Sequence, residues 1–232
     1  MTDDAAVDLY WIPLGAGASV VRASGATFEA IMALAQHRPR GQLYHSALVV
    51  THEGDRYAIE MTPEPDGHGR EQRGVVAGGA VGTAVAARFR PFRYEIRRWP
   101  GGVIPDLGDA VASPVRVSTD PDDAAHVIAL VPQVPTPVWG RDALHTGEMW
   151  NSNSVTSWLL ARAGLATGGC EPPVGGRAPG WNAGLVASRL GAPEPVRVNG
   201  LRSVHERVRV YLRPVAPDPG DGTFHVPPEG RT

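Results

Sequence analysis

A short polar run at the start of an apolar segment holds the residues best suited to nucleophilic chemistry. The run "WNSNSVTSWLL" places Ser152 and Asn153 just before Val155, Trp158 and Leu159, whose spacing predicts a helix with one buried face. The start of a buried helix stabilises negative charge through the helix dipole and free N–H groups. Ser152 is therefore a candidate nucleophile, and the backbone N–H groups near Ser152 and Asn153 are candidate oxyanion donors.

Ser and Asn are also common helix caps, so the same run has a purely structural interpretation. Either Asn151 or Ser152 could accept hydrogen bonds from N–H groups of the first turn. A cap and a nucleophile do not exclude each other. Ser154 is an alternative nucleophile, but at two residues' distance along a helix it would point away from Ser152.

A serine nucleophile needs a base within reach and a further group that orients the base. His45 lies in the apolar run "LYHSALVV", and Glu60 lies in "YAIEM" on the next predicted strand. We predict His45 as the base and Glu60 as the orienting group, with Asp55 or His52 as substitutes for Glu60. The residues alone leave simpler interpretations open: a hydrogen-bonded structural His45, and a Glu60 that faces solvent or pairs with an Arg.

The order of these motifs resembles that of the circularly permuted papain-like proteins. This superfamily includes relatives of the NlpC-type peptidases, lecithin-retinol acyltransferase-like enzymes and desumoylating isopeptidases. In it a strand His comes first, a polar residue on the next strand comes second, and a nucleophilic Cys at a helix start comes last. The resemblance covers roughly residues 43–165 and implies His45 as base, Glu60 as the polar third residue and Ser152 at the Cys position, with Asn151 and Asn153 in support.

The resemblance implies a hydrolase or acyltransferase that forms an acyl-enzyme on an amide, ester or thioester. The substrate would be a small molecule, a lipid or a peptide. Ser is far less acidic than Cys and must give its proton to the base during attack. Ser152 is therefore a true serine nucleophile, the remnant of an inactive enzyme, or a replacement of a native Cys. The alternative function is a catalytically inactive binding protein that keeps the papain-like cleft.

The remaining pattern predicts an α+β domain with a mainly antiparallel sheet flanked by helices. The Gly-rich segment 74–82 belongs to a predicted loop, residues 63–82, that could cover the site. The predicted strands are residues 7–14, 44–51, 56–62, 88–99, 113–119 and 204–214. The predicted helices are residues 27–38, 120–131, 152–163 and 180–190.

Composition limits the classes of function. Of 232 residues 42% are hydrophobic, enough for one elaborated domain, which we place at residues 1–215 with a Pro/Gly-rich tail at 216–232. The formal charge of −2 gives no general basic field, so we expect no nucleic-acid partner. The chain contains no Lys, which excludes a Schiff-base Lys, a phosphate-loop Lys and a Ser-Lys dyad.

No motif indicates a metal or a cofactor, and we expect neither. The chain has no H-E-x-x-H pair and no Cys cluster, and the "HTGE" run at His145 is weak evidence alone. A single cysteine, Cys170, excludes an intrachain disulfide. The acidic first residues do not resemble a signal peptide, and no apolar run approaches the ~20 residues of a membrane span. We therefore expect a cytoplasmic protein without stable membrane insertion; nothing in the sequence indicates its oligomeric state.

Overall fold

A computed structural model describes residues 5–14, 42–65, 69–166 and 168–190. Within these ranges the chain forms an α+β fold, as predicted. The strands are β1 Ala6–Pro13, β2 Gln42–His52, β3 Asp55–Pro63, β4 Val75–Ala80, β5 Arg93–Pro100, β6 Val115–Ser118 and β7 Gly176–Arg177, and the α-helices are α1 Pro121–Leu130, α2 Ser152–Arg162 and α3 Trp181–Arg189. The predicted helix at 27–38, the predicted strand at 204–214 and the tail at 216–232 lie outside the described residues.

The sheet is mostly antiparallel and has the order β4-β5-β3-β2-β1-β6, with β7 paired in parallel to the first residues of β2. The predicted hairpin of β2 and β3 is present, with His52 opposite Asp55. Its turn places Glu53 and Gly54 at positive φ angles of 51° and 80°, a conformation that Gly adopts at little cost. The hairpin puts the His45 strand beside the Glu60 strand.

The two faces of the sheet are covered by different parts of the chain. Successive side chains of a strand point to opposite faces, and one face packs against the helices to form the main core. Members of this core include Leu9, Leu48, Ile59, Ile96, Val127 and Leu159. The other face carries a smaller cluster, covered by the connection from β5 to β6. Its buried members are Ile12, Ala47, Val49, Ala58 and Ile104.

The Gly-rich segment differs from the prediction. Residues 75–80 form β4, an edge strand hydrogen-bonded to β5, rather than a loop over the site. Glycine is needed because β4 lies very close to Tyr94: a Cβ on Gly79 would come within 2.6 Å of the Tyr94 ring, and one on Gly78 within 2.7 Å of its carbonyl oxygen. Glycine is depleted in strands, so the glycines that this close approach requires make the sequence of β4 read as a loop.

The strand predicted from residue 88 begins only at Arg93. The preceding residues form two short 3-10 helices, Ala84–Arg88 and Arg90–Phe92, with Pro91 in the second. Proline cannot donate a ladder hydrogen bond, so it favours this break. No helix within the described ranges combines the length and apolar character that crossing a bilayer requires.

Candidate functional site

Helix α2 begins with an unusually complete cap, and the cap is Asn151 rather than Ser152. The Asn151 side chain accepts from the N–H groups of Asn153 and Ser154 at 2.9 and 3.4 Å, while Ser154 Oγ accepts from the Asn151 N–H at 3.1 Å. This reciprocal arrangement satisfies N–H groups that the helix itself leaves unpaired. Ser152, the first residue of the helix, is therefore not needed for capping.

Ser154, the alternative nucleophile, has a structural role. Its hydroxyl donates to the Gly180 carbonyl oxygen at 2.7 Å and accepts from Asn151. Helix α3 approaches α2 so closely that a Cβ on Gly184 would overlap Ser157 Oγ and the Ser154 carbonyl oxygen. Ser154 and Ser157 thus face α3, whereas Ser152 is the first residue of α2.

The start of α2 docks against the open edge of β2. Asn153 Nδ2 donates to the Tyr44 carbonyl oxygen at 2.9 Å, and Thr156 Oγ1 donates to the Ser46 carbonyl oxygen at 3.4 Å. Strand β3 pairs with β2 only from Leu48 onward, so these carbonyls lie before the hairpin ladder begins. The helix start supplies donors on the edge of β2 that faces away from β1, where no strand pairs with these residues.

This docking joins the backbone beside Ser152 to the backbone beside His45, although the His45 side chain belongs to the sheet face of Ala47 and Val49, opposite the face on which α2 packs. Ser152 immediately precedes Asn153, and His45 immediately follows Tyr44, so the two candidates flank a direct hydrogen bond. Ser152 is buried, with 8% of its surface exposed. Within the described part of the chain, however, no hydrogen bond joins the Ser152 hydroxyl to the His45 ring.

The carboxylate that contacts His45 is Asp106, not Glu60. His45 Nε2 lies 3.0 Å from Asp106 Oδ2, and both side chains are 24% exposed. Hydrogen bonding from His45 lowers the pKa of Asp106 below its ordinary value of 3.8. An ionised carboxylate can only accept, so Nε2 carries the proton and Nδ1 is the nitrogen that can accept one.

Glu60 is bound to an arginine instead. Arg97 Nη1 donates to Glu60 Oε1 at 3.0 Å, and Arg97 Nε donates to Glu95 Oε1 at 2.7 Å. Glu95 also accepts from Arg73 Nε at 2.9 Å. Burial raises the pKa of Glu60 above its ordinary value of 4.5, and attraction to Arg97 offsets this only in part. Of the interpretations that the sequence left open for Glu60, pairing with an Arg is the one observed.

Glu60 still belongs to the same electrostatic environment as the imidazole. Both His45 and Asp106 act on the Glu60 carboxylate, His45 lowering its pKa and Asp106 raising it. The substitutes Asp55 and His52 sit opposite each other beside the hairpin turn, seven or more residues along the chain from His45. Asp106, rather than Glu60, is therefore the carboxylate in contact with His45.

Asp106 could not be found from motif spacing. It follows Ile104 in the connection from β5 to β6, where Ile104 is buried against the sheet face that also carries Ala47. The sequence shows only Asp106 within the run "GGVIPDLG" and Asp109 directly after it, with no motif that singles out either. Its position depends on β5 and β6 lying on opposite sides of β2, so that their connection must cross the face bearing His45.

One predicted oxyanion donor is already engaged. The Asn153 N–H is bound to the Asn151 cap, so it does not point freely at a substrate. The Asn153 side chain instead holds the helix to Tyr44 and also donates to the Pro179 carbonyl oxygen at 2.9 Å. Asn151 and Asn153 are thus placed as supports for Ser152, and the Ser152 N–H is the remaining candidate donor.

Among the described residues, no three or more His, Cys, Asp and Glu side chains gather into a group that could hold a metal ion. No family model, curated protein or solved structure matches the chain.

Proposed function

We propose that the protein is a hydrolase or acyltransferase that forms an acyl-enzyme at Ser152. The observation that carries the proposal is the hydrogen bond from Asn153 Nδ2 to the Tyr44 carbonyl oxygen. It ties the start of the helix that carries Ser152, a serine relieved of capping by Asn151, to the strand that carries His45, whose Nε2 is held by Asp106. This is the minimal set of nucleophile, base and orienting group.

In the proposed reaction Ser152 Oγ attacks the acyl carbon of an amide, ester or thioester. The hydroxyl proton passes to His45 Nδ1, and His45 then gives a proton to the departing amine, alcohol or thiol. Asp106 holds the imidazole through Nε2 and stabilises its protonated form. Water in a hydrolase, or an acceptor nucleophile in an acyltransferase, then releases the acyl group and restores the serine.

The permuted papain-like architecture remains part of the proposal. It is supported by the order of strand His, adjacent strand and helix-start Ser, and by the docking of that helix start on the His strand. The substrate is proposed only by class, as a small molecule, lipid or peptide that carries a cleavable acyl bond. The start of α2 would add the favourable field of its dipole to the developing oxyanion.

Labelling with a fluorophosphonate probe tests the proposal. The probe should add once to the wild-type protein, at Ser152 by peptide mass, and S152A should abolish the addition. H45A and D106N should slow labelling by about 100-fold or more. E60Q, which keeps an oxygen acceptor for Arg97, should change the rate much less.

The control is S154A, which removes the alternative nucleophile and should keep labelling at Ser152; circular dichroism first checks that the variant is folded, because Ser154 also completes the cap of α2. Equal labelling of S152A and the wild type would sink the proposal. Labelling that is insensitive to H45A would also contradict it.

A second candidate is an inactive binding protein that keeps the same cleft. It is favoured by one observation, that within the described residues Ser152 makes no hydrogen bond to the His45 ring. Catalytic hydrogen bonds often form only when substrate is bound, so the absence of this bond does not decide between the candidates. An inactive protein would show no fluorophosphonate labelling, yet S152C would create a thiol whose reactivity depends on His45.

A further inference from the structure

A second surface on the molecule combines exposed apolar and cationic side chains. Residues 84–92, here called the basic tip, connect β4 to β5 as two short 3-10 helices, neither of which buries a residue. Val85, Phe89 and Phe92 are 70%, 54% and 46% exposed. Large apolar side chains exposed together usually mark an interaction site.

The charged residues of the segment from Thr83 to Tyr94 all have one sign. Arg88 and Arg90 are exposed in the basic tip, Arg93 follows directly, and the sequence from Thr83 to Tyr94 contains no acidic residue. The local charge is therefore positive although the chain as a whole carries −2. A formal charge averaged over the whole sequence conceals such a patch.

Arg93 stiffens the basic tip from beneath. Its Nε donates to the Ala87 carbonyl oxygen at 2.5 Å, and its Nη2 donates to the Arg88 carbonyl oxygen at 3.2 Å. Arg88 stacks over the Phe89 ring, with its guanidinium carbon 4.9 Å from the ring centre. The apolar side chains are thus presented on a tied backbone, which lowers the entropy lost on binding.

We propose that the basic tip binds the surface of an anionic lipid bilayer. Aromatic and apolar side chains flanked by Arg are the arrangement that enters the headgroup region, where rings insert and guanidinium groups meet lipid phosphates. The apolar side chains protrude from two short helices in which no residue is buried. A protruding surface of this kind suits insertion into a lipid headgroup region. A peripheral contact of this kind needs no membrane-spanning helix.

The basic tip lies at the same end of the sheet as the candidate site. It ends where β5 begins, β5 runs antiparallel to β3, and the last residue of β3, Pro63, pairs with Tyr94 at the start of β5. Strand β2 runs antiparallel to β3 and carries His45 near its own first residue. Arg90 also reaches across to the Pro65 carbonyl oxygen at 3.4 Å, just beyond the end of β3. Membrane docking would therefore bring the end of the sheet that carries His45 toward lipid.

Vesicle flotation tests the proposal. The full chain should float with vesicles of phosphatidylcholine containing about one third phosphatidylserine, at least about 10-fold more than with pure phosphatidylcholine, and high salt should release it. The double variants F89S/F92S and R88S/R90S should each reduce flotation to the level of neutral vesicles.

The matched control is V103S, because Val103 is 66% exposed but follows the opposite end of β5. It should float like the wild type, as should S152A, which separates this inference from the proposed catalysis. Circular dichroism checks that each variant is folded. If the wild-type protein floats with neither kind of vesicle, the result expected of a tip that binds a protein, the proposal is overturned. Undiminished flotation of folded F89S/F92S also overturns it.

Discussion

At the residue scale, the polar groups around His45 divide into a hydrogen-bonded partner and a nearby buried charge. Asp106 contacts the imidazole directly, whereas Glu60 is bound to Arg97. The strand that carries His45 could be predicted from the sequence, because a short apolar run that ends at a turn is typical of a buried strand. The partner could not, since Glu60 and Asp106 are both plausible acids and only the three-dimensional path of the chain distinguishes them.

The raised pKa of Glu60 predicts a specific pH dependence of stability. Because burial raises its pKa above 4.5 in the folded state, the unfolded chain loses its proton at lower pH than the folded protein does. The contribution of Glu60 to the free energy of unfolding is therefore present below pH 4.5 and is lost as pH rises through the folded pKa. As pH rises from 4.5 through the folded pKa of Glu60, the free energy of unfolding of E60Q should therefore increase relative to that of the wild type.

Urea unfolding of E60Q and the wild type at a series of pH values from 4 to 8 measures this difference. E171Q, which removes another carboxylate at an exposed position, corrects for general effects of the altered net charge. The difference in free energy of unfolding between E60Q and the wild type could instead stay constant, or change in favour of the wild type, as pH rises. Either result would show that attraction to Arg97 offsets or outweighs the effect of burial on the pKa of Glu60.

At the element scale, the start of α2 does two separate jobs. Asn151 caps the helix, while Asn153 ties it to β2. The sequence predicted this helix and its polar start correctly, since apolar spacing and cap preference are local properties. It did not separate the cap from the candidate nucleophile, because Ser and Asn both favour such positions and the docking partner lies over one hundred residues earlier.

Substitutions at these neighbouring positions should separate the two jobs. N151A removes the acceptor for two helix N–H groups and should lower the free energy of unfolding by about 1–2 kcal/mol. S152A removes no capping bond and should change stability by less than about 0.5 kcal/mol. Chemical denaturation measures both. A larger loss in S152A than in N151A would mean that Ser152 is mainly structural.

At the scale of the whole molecule, the sheet separates a helical core from a face crossed by the connection from β5 to β6. Ile104 anchors this connection against Ala47 and Val49, and Asp106 lies two residues further along. The α+β class and most strands followed from the sequence. The crossing did not, because strand order depends on long-range packing that local patterns do not encode.

Loosening the crossing should weaken both stability and the His45 contact. I104A removes a buried side chain, 2% exposed, and should cost about 2–5 kcal/mol. It should also slow fluorophosphonate labelling, because Asp106 loses its anchored position. The neighbouring V103A, at an exposed position, should change neither quantity. Thermal unfolding and labelling rates check the pair; unchanged labelling in a folded I104A would show that Asp106 is held by other contacts.

The central claim is that positions 152 and 45 form a nucleophile and base pair, and the alkylation rate of an introduced thiol tests it most directly. The chain's one natural cysteine, Cys170, is first removed as C170A so that a single thiol is present. In that background S152C should react with iodoacetamide at pH 6 at least about 10-fold faster than S152C/H45A, because an adjacent imidazole favours the thiolate. Equal rates in the two proteins, with the pH dependence of an ordinary thiol of pKa about 8.5, would contradict the claim.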